Sequence, residues 1–407
     1  MSHPKIHLHL VESTCQALSE IFSESRYADQ IIDRYFQAHR QWGSRDRKFF
    51  AETVYEGVRW WRKYWFLLGE EPSSDLEKLI RFWGVHYLLQ HHTLPESALN
   101  KWPQLRQISH EALELKILSM PRAQAQSIPD WLDLYGEKNF GSRWDAILSA
   151  LNTPAPVDLR VNTLKSSLVE VRKELEQDQV ETLPIPATLS GLTLKVRKNL
   201  IQSRSFLAGH FEIQDRASQQ VAPFLQVEPG HSVIDACAGG GGKSLHLAAL
   251  MKNQGRILSL DIHERKLKEL RSRARRNGAQ LIETRWIESA SVIQELQSSA
   301  DRVLLDVPCS GLGVLRRNPD TKWKFRLEDL SQVQQVQADI LKRYSLMTKP
   351  GGKLVYATCS FLPDENEIQV ESFLKAHPGK WILEDQWRGD PDQESGDGFF
   401  AARLLRL

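Results

Sequence analysis

The chain has 407 residues, 41% hydrophobic and 26% charged, an ordinary globular balance that excludes both a single small module and a disordered coil. Its 53 basic and 51 acidic residues leave a formal charge of +2, which excludes a histone-like polycation and confines any polyanion contact to local basic faces. Four cysteines, Cys15, Cys237, Cys309 and Cys359, are too few and too scattered for a disulfide framework or a zinc site, and no run of about eighteen apolar residues marks a membrane span.

The opening stretch MSHPKIHLHL lacks the charged-then-apolar order of a secretory signal, so a cytoplasmic location is expected. From residue 6 to about 118, apolar residues recur three and four apart, as in IIDRYFQAH and FFAETVYEGVRWWRKYWFLLG, which predicts an all-α domain over 1–120. Trp42, Trp60, Trp61, Trp65, Trp83 and Trp102 fall here and are read as bundle core rather than a base-stacking platform. Basic residues cluster at 40–63, 265–276 and 316–326. Any one such run is ordinarily a solvated face, but together they weigh toward a polyanion. A Ser/Pro/Ala/Gln stretch at 119–129 opens a small α+β segment, 121–208. It holds a predicted strand at 157–164, a helix at 166–178 capped by Ser166, and a strand at 192–197.

Over 209–407 the order becomes strand, loop, helix, repeated: SVID, RILSLD, DRVLLD and KLVYAT are predicted strands, with helices after the first two, Gly278 as a helix stop and a helix over about 327–347. This predicts an α/β, Rossmann-like, mostly parallel doubly wound sheet with ligands at the carboxyl ends of its strands. DQWRGDPDQESGDG, at 385–398, reads as a polar loop.

The stretch AGGGGKS at 238–244 invites a phosphate-loop reading, yet the position requiring that loop's first glycine is Cys237. A cofactor without a triphosphate fits better. S-adenosylmethionine needs glycines for close backbone approach and an acid ending the next strand for its ribose hydroxyls; Asp261 lies 26 positions beyond Asp235, near the spacing of about twenty for such pairs. Helix capping is the alternative role for Asp261.

Cys309, in DVPCSG, and Cys359, in ATCS, both follow apolar strands and so are expected over one sheet edge. A cysteine is commonly a small buried hydrophobe; two at equivalent places point to chemistry. Methylation at cytosine C5 requires it, because C5 is a poor nucleophile until a thiolate adds to C6. An acid near N3, the job read for Asp306, offsets charge building on the ring, and a second thiol can assist release.

At these residues the chain resembles the RNA cytosine-C5 methyltransferases, the family of the bacterial 16S (small-subunit) rRNA enzyme and the Nop/Sun proteins. The matching stretches are GHFEIQDRASQQV (209–221), 235–244, 261–278, DVPCSGLGVLRRNPDTKW (306–323), ATCSFLPDENE (357–367) and DGFFA (397–401), preceded by SIPDWL and LRVNTLKSS. The resemblance covers about residue 127 to the end, and the N-terminal helices resemble a NusB-like RNA-binding domain. It implies a class I S-adenosylmethionine-dependent methyltransferase domain over 209–407 with no metal. Cys359 would be the nucleophile and Cys309 the releasing cysteine, while Asp306 would contact cofactor and base and Lys243 would orient Asp306 or the base. Cys237, Ala238, Gly239, Gly240, Gly241, Gly242 and Lys243 would wrap the cofactor, with Asp261 at the ribose and Glu288 beside the adenine. Arg316, Arg317 and Lys322 would face RNA phosphates. Gly240 stands where the family has proline, and Glu288 where it has aspartate. The implied substrate is structured RNA, rRNA before tRNA. A tRNA methyltransferase and a non-catalytic assembly factor are the alternatives, and a DNA enzyme is disfavoured because Cys309 is followed by Ser310-Gly311 rather than glutamine.

Overall fold

The computed structural model describes residues 7–186, 188–393 and 396–407. Part of the opening stretch read for a signal, and part of the polar loop near the end, lie outside them. The chain divides into two compact units. One runs through Asn152 and takes in Arg317–Leu327; the other comprises Thr153–Arg316 and Glu328–Leu407.

The first unit is helical, with its longer helices at Leu8–Ser23, Ala28–Ala38, Ser44–Arg59, Trp61–Leu68 and Leu76–His91. Apolar residues at helical spacing meet in one core, where Val11, Leu18, Phe50, Val54, Trp65, Phe82 and Trp83 are buried. Trp42, Trp61 and Trp102 are buried with them, and Trp60 is half-buried with its Nε1 donating to Glu56. These tryptophans therefore serve packing. Helices Asp130–Phe140 and Trp144–Leu151 belong to this unit as well, so the boundary drawn at residue 120 falls inside it.

Residues 317–327 overturn one expectation. Lys322 does not face outward: it is 1% exposed, and its Nζ donates to the Arg59 carbonyl at 2.9 Å and to Asn152 Oδ1 at 3.4 Å. Burial, with Arg59 nearby, holds its ammonium well below the ordinary lysine range. Asp320 accepts from the Ala28 amide and Trp323 Nε1 donates to the Val58 carbonyl, which anchors the segment. Within the basic run at 40–63, Arg59 is buried, whereas Arg40, Arg45 and Lys48 are exposed.

The second unit holds two sheets. The smaller runs β1 (Asp158–Val161), β2 (Thr182–Pro184), β3 (Gly191–Leu194) and β4 (Phe211–Ile213) in the order β2-β3-β1-β4, all antiparallel. Its helix Leu168–Gln177 is capped by Ser167 rather than Ser166. Ser167 Oγ accepts from the Glu170 amide while the Glu170 carboxylate accepts from the Ser167 amide, a reciprocal cap that Ser166 cannot close from one residue further out.

The larger sheet contains β5 (Ser232–Asp235), β6 (Arg256–Asp261), β7 (Ile282–Trp286), β8 (Ala300–Asp306), β9 (Thr348–Thr358), β10 (Trp381–Gly389) and β11 (Phe399–Arg406), ordered β10-β11-β9-β8-β5-β6-β7. β5 to β9 are parallel to one another, and β11 lies antiparallel between β9 and β10. Buried Val233, Ile234, Val303, Leu304, Leu305, Leu354 and Val355 explain the continuous apolar runs, since helices cover both faces of such a sheet. Residues 385–389 of the expected polar loop are the end of β10, because they pair with 399–403. Sequence order reverses between β5 and β8, and the crevice above their carboxyl ends is where ligands bind in open α/β sheets.

Candidate active site

Four strand ends, those of β5, β6, β8 and β9, build the site. β5 ends at Asp235 and runs into the glycine loop, whose Gly239 (φ +54°) and Gly241 (φ +84°) are left-handed. A side chain at Gly241 is doubly barred, since its Cβ would meet Leu270 Cγ at 2.4 Å. Gly239 and Gly242 face open space, with nothing within 4 Å of where a Cβ would stand. Bare backbone is thus presented to that space. From outside, Arg273 Nη1 donates to the Gly240 carbonyl at 2.7 Å, and the buried Arg160 Nη2 reaches the Gly242 carbonyl at 3.4 Å.

Asp261, ending β6, spends one carboxylate oxygen on the Gly239 amide at 2.8 Å and the other on the His263 amide at 2.7 Å. It therefore both supports the loop and steadies the entry to the helix Glu264–Asn277. Glu288 lies exposed two residues beyond β7. Beneath the loop, Ser244 Oγ donates to Asp235 Oδ2 at 2.6 Å, while Asp235 Oδ1 is buried without a hydrogen-bond partner. Burial raises the Asp235 carboxyl to about 7, against the lowering bond from Ser244 and with Asp306 and Asp261 adding to the rise. Cys237, beside the same three carboxylates, is pushed well above the ordinary thiol range by burial first and by their charge second.

That shift has a consequence for stability. A carboxyl that keeps its proton to about pH 7 when folded, and loses it near 3.8 when unfolded, favours the folded state fully below pH 3.8 and loses that contribution as pH rises to about 7. Relative to Asp235→Asn, wild-type stability should fall by up to about 1.4 kcal/mol per pH unit between roughly pH 4 and 7, then level. Urea unfolding of both proteins at pH 5, 6 and 8 checks this; a constant difference would contradict the raised value.

β8 and β9 carry the cysteines. They are parallel neighbours in register Asp306↔Ala357, so Cys309, three residues past β8, and Cys359, one past β9, emerge over one edge. Their sulfurs stand 3.2 Å apart, and both residues are half-buried free thiols. Hydrogen bonding to Cys359 comes first among the causes that push Cys309 well above the ordinary thiol range, followed by burial and by negative charge at Cys359 and Glu365. Lys243 Nζ, 5.5 Å from the Phe399 ring centre, donates to Asp306 Oδ2 at 2.5 Å. Burial opposes the Lys243 ammonium, but Asp306, helped by Cys359 and Asp235, outweighs it and keeps the proton on beyond the ordinary lysine range.

The structure thus brings Cys359, Cys309, Asp306 and Lys243 to one strand edge beside the loop at 237–243 and Asp261. Arg316 is not turned to solvent: its side chain is 11% exposed, with Nε 3.8 Å from Asp397 and Nη1 donating to the Gly396 carbonyl. The reading from sequence missed four side chains that tie the cysteine loops together, Ser310, Ser360, Glu365 and Gln337. Their trace in the sequence is the repeated Cys-Ser pair.

The strand order and the glycine loop define a Rossmann-like methyltransferase. Residues 222–405 match the family model described as 16S rRNA methyltransferase RsmB/F, and residues 128–200 match its ferredoxin-like domain. The chain is 31% identical over 409 aligned residues to a probable ribosomal RNA small subunit methyltransferase B of Synechocystis, spanning 92% of this chain and 89% of that one. It is 32% identical to ribosomal RNA small subunit methyltransferase B of Yersinia pseudotuberculosis, over 74% of this chain and 72% of the relative. A solved methyltransferase homologue from Pyrococcus horikoshii superimposes with a TM-score of 0.61 at 29% identity, covering 70% of this chain and 97% of its own. The chain belongs to the RsmB/F family of methyltransferases. Among the described residues no helix is long and apolar enough to cross a membrane, and no cluster of three His, Cys, Asp or Glu residues is arranged to hold a metal.

Proposed function

We propose that this protein, in the cytoplasm, methylates C5 of a specific cytidine in structured RNA, drawing the methyl from S-adenosylmethionine and working through a covalent bond between Cys359 and cytosine C6. The observation that carries the reading is the pair of sulfurs 3.2 Å apart over the ends of β8 and β9, next to the Lys243–Asp306 pair. The relatives named for small-subunit rRNA favour rRNA over tRNA.

The loop suits the cofactor on two counts. Gly239 and Gly242 leave a bare backbone cradle facing open space, and the carboxylates of Asp261 and Asp306 stand near it, which suits a ligand cationic at its sulfonium and its amine. When bound, S-adenosylmethionine supplies the transferable methyl. Asp261 would hold the ribose hydroxyls, and Glu288 would lie on the adenine side.

The side chains divide the remaining work. Two thiolates 3.2 Å apart repel, so one sulfur of the pair ionises while the other keeps its proton. Cys309 is the one held protonated, which leaves the nucleophile's part to Cys359. As Cys359 sulfur bonds to C6, the C5–C6 π electrons shift into the ring, and the proton shared by Lys243 Nζ and Asp306 Oδ2 moves to N3 to offset them. C5, now enamine-like, takes the methyl. Cys359 is by then a thioether without charge, so the restraint it placed on Cys309 is gone; Cys309 gives its proton to solvent, the one proton the reaction releases overall, and as a thiolate can accept the one on C5. The C5–H electrons restore the C5–C6 double bond, the C6–S bond breaks, N3 returns its proton to the lysine pair and Cys359 leaves as thiolate. The target base must leave its stack to reach these groups. Exposed Arg40, Arg45 and Lys48 on the helical unit suit RNA phosphates, with affinity that falls as salt rises.

The test is transfer of tritiated methyl from S-adenosylmethionine into total RNA from a strain lacking this protein, comparing wild type with Cys359→Ala. Label at C5 of cytidine in small-subunit rRNA, with wild type alone, is the expected result. Label confined to tRNA would move the substrate, and no label in any RNA from a folded, cofactor-binding protein would leave the non-catalytic assembly factor.

A further inference from the structure

Each of the two cysteines is followed by a buried serine, and both serines turn inward to one carboxylate. Glu365 is fully buried at the end of the short turn Pro363–Glu365. Its Oε1 accepts from the Ser310 amide at 2.7 Å and from Gln337 Nε2 at 3.0 Å. Its Oε2 accepts from Ser310 Oγ at 2.5 Å and from Ser360 Oγ. Four donors fill the acceptor capacity of one carboxylate.

The arrangement repeats on both loops. Ser310 Oγ accepts from the amide of Leu312, two residues on, and Ser360 Oγ accepts from the amide of Leu362, again two residues on; the hydroxyl oxygens lie 3.1 Å apart. Each hydroxyl therefore fixes the turn of its own loop and hands its proton to the shared carboxylate. Gln337, from the helix Leu327–Tyr344, also donates to the Pro308 carbonyl at 3.0 Å, so the residue preceding Cys309 is held by the same group. Neither loop can shift by an ångström without stretching a charge-assisted hydrogen bond in a dry site.

We propose that Glu365 is a positioning residue that clamps the two cysteine loops through Ser310 and Ser360, so that Cys309 stays within reach of whatever Cys359 has bound. The inference rests on the cysteine roles given above and adds a group that touches neither substrate nor cofactor. Its charge has a second effect in the same direction, because it helps keep the proton on Cys309 until Cys359 is spent.

Two readouts on the full-length protein separate the clamp from the reaction. In the first, the free enzyme is treated with diamide, which takes two electrons and two protons from the thiols as their sulfurs join, and the joined peptides are identified by mass. Cys309–Cys359 closure is expected to be fast in wild type and slower by about tenfold or more in Glu365→Gln, where an amide nitrogen replaces one acceptor oxygen. In the second, methyl transfer by Glu365→Gln is expected to lose on the order of 10²-fold in kcat, the usual scale for an ångström of misplacement. Its KM for RNA stays within about twofold, and it accumulates the denaturant-resistant RNA adduct that Cys309→Ala accumulates. A Glu365→Gln protein that crosslinks and turns over like wild type overturns the clamp. Wild type that methylates no RNA overturns the proposed function, while the diamide arm still decides the clamp. Should Glu365→Gln fail to fold, Ser310→Ala, which leaves Glu365 bonded to Ser360 and Gln337, takes its place under the same criteria.

Discussion

Cys309→Ala is expected to trap the protein on its RNA, and Cys359→Ala is expected to leave no adduct and no turnover. The asymmetry follows from the pair's electrostatics. Only one sulfur of two at 3.2 Å can comfortably be a thiolate, and Cys309 is the one whose proton is held, first by the hydrogen bond to Cys359 and then by burial. Removing Cys359 takes away the nucleophile, so methyl transfer should fall to background, a loss on the order of 10⁴-fold or more by analogy with other covalent catalysts. Removing Cys309 leaves the nucleophile in place and takes away the base that draws the C5 proton. Attack and methyl transfer then proceed once, and the thioether cannot be expelled. Denaturing electrophoresis with labelled RNA reads this directly: a shifted band for Cys309→Ala and none for Cys359→Ala. The reverse pattern would exchange the two roles.

Much of this site is legible in the chain because its parts sit where periodicity changes. SVID, RILSLD, DRVLLD and KLVYAT are apolar runs too short for helices and bounded by glycines or acids, and each became a parallel strand. The acids ending three of them, Asp235, Asp261 and Asp306, mark the carboxyl edge that carries the ligand site. What is not legible is pairing across long separations. Glu365 lies 55 positions from Ser310 and 28 from Gln337, and nothing local distinguishes it from a surface glutamate. Strands of three residues, β2 and β4, are below the length at which alternation can be recognised; they exist because β1 and β3 offer them edges.

Charge misleads for a related reason. Lys322 and Arg316 lie in a basic run and read as phosphate contacts, yet Lys322 is buried with its ammonium spent on the Arg59 carbonyl, and Arg316 turns toward Asp397. Composition records that a residue can carry charge. It does not record whether a carbonyl or a carboxylate from a distant part of the chain reaches that charge before solvent does. The three exposed basic residues Arg40, Arg45 and Lys48 and the buried Arg59 come from one run, and only packing separates them.

Lys243 and Asp306 should behave as one group. The 2.5 Å bond joins an ammonium that burial would otherwise neutralise to a carboxylate that outweighs that burial, so removing either partner changes the protonation of the other. In Asp306→Asn the lysine loses the charge that holds its proton, and its affinity for that proton should fall below wild type. In Lys243→Met the carboxylate remains, with no ammonium beside it to supply the proton that N3 takes up. Each change should lower kcat on the order of 10²- to 10⁴-fold, the range for a positioned proton donor. The double variant should be no slower than the slower single one, since a unit already broken cannot be broken again. Multiplying losses would show that the two act separately, Lys243 on the loop and Asp306 on the base. The adduct assay locates the fault: if the shared proton is needed when sulfur adds to C6, all three variants form less adduct than Cys309→Ala, whereas a defect confined to release would leave adduct formation intact.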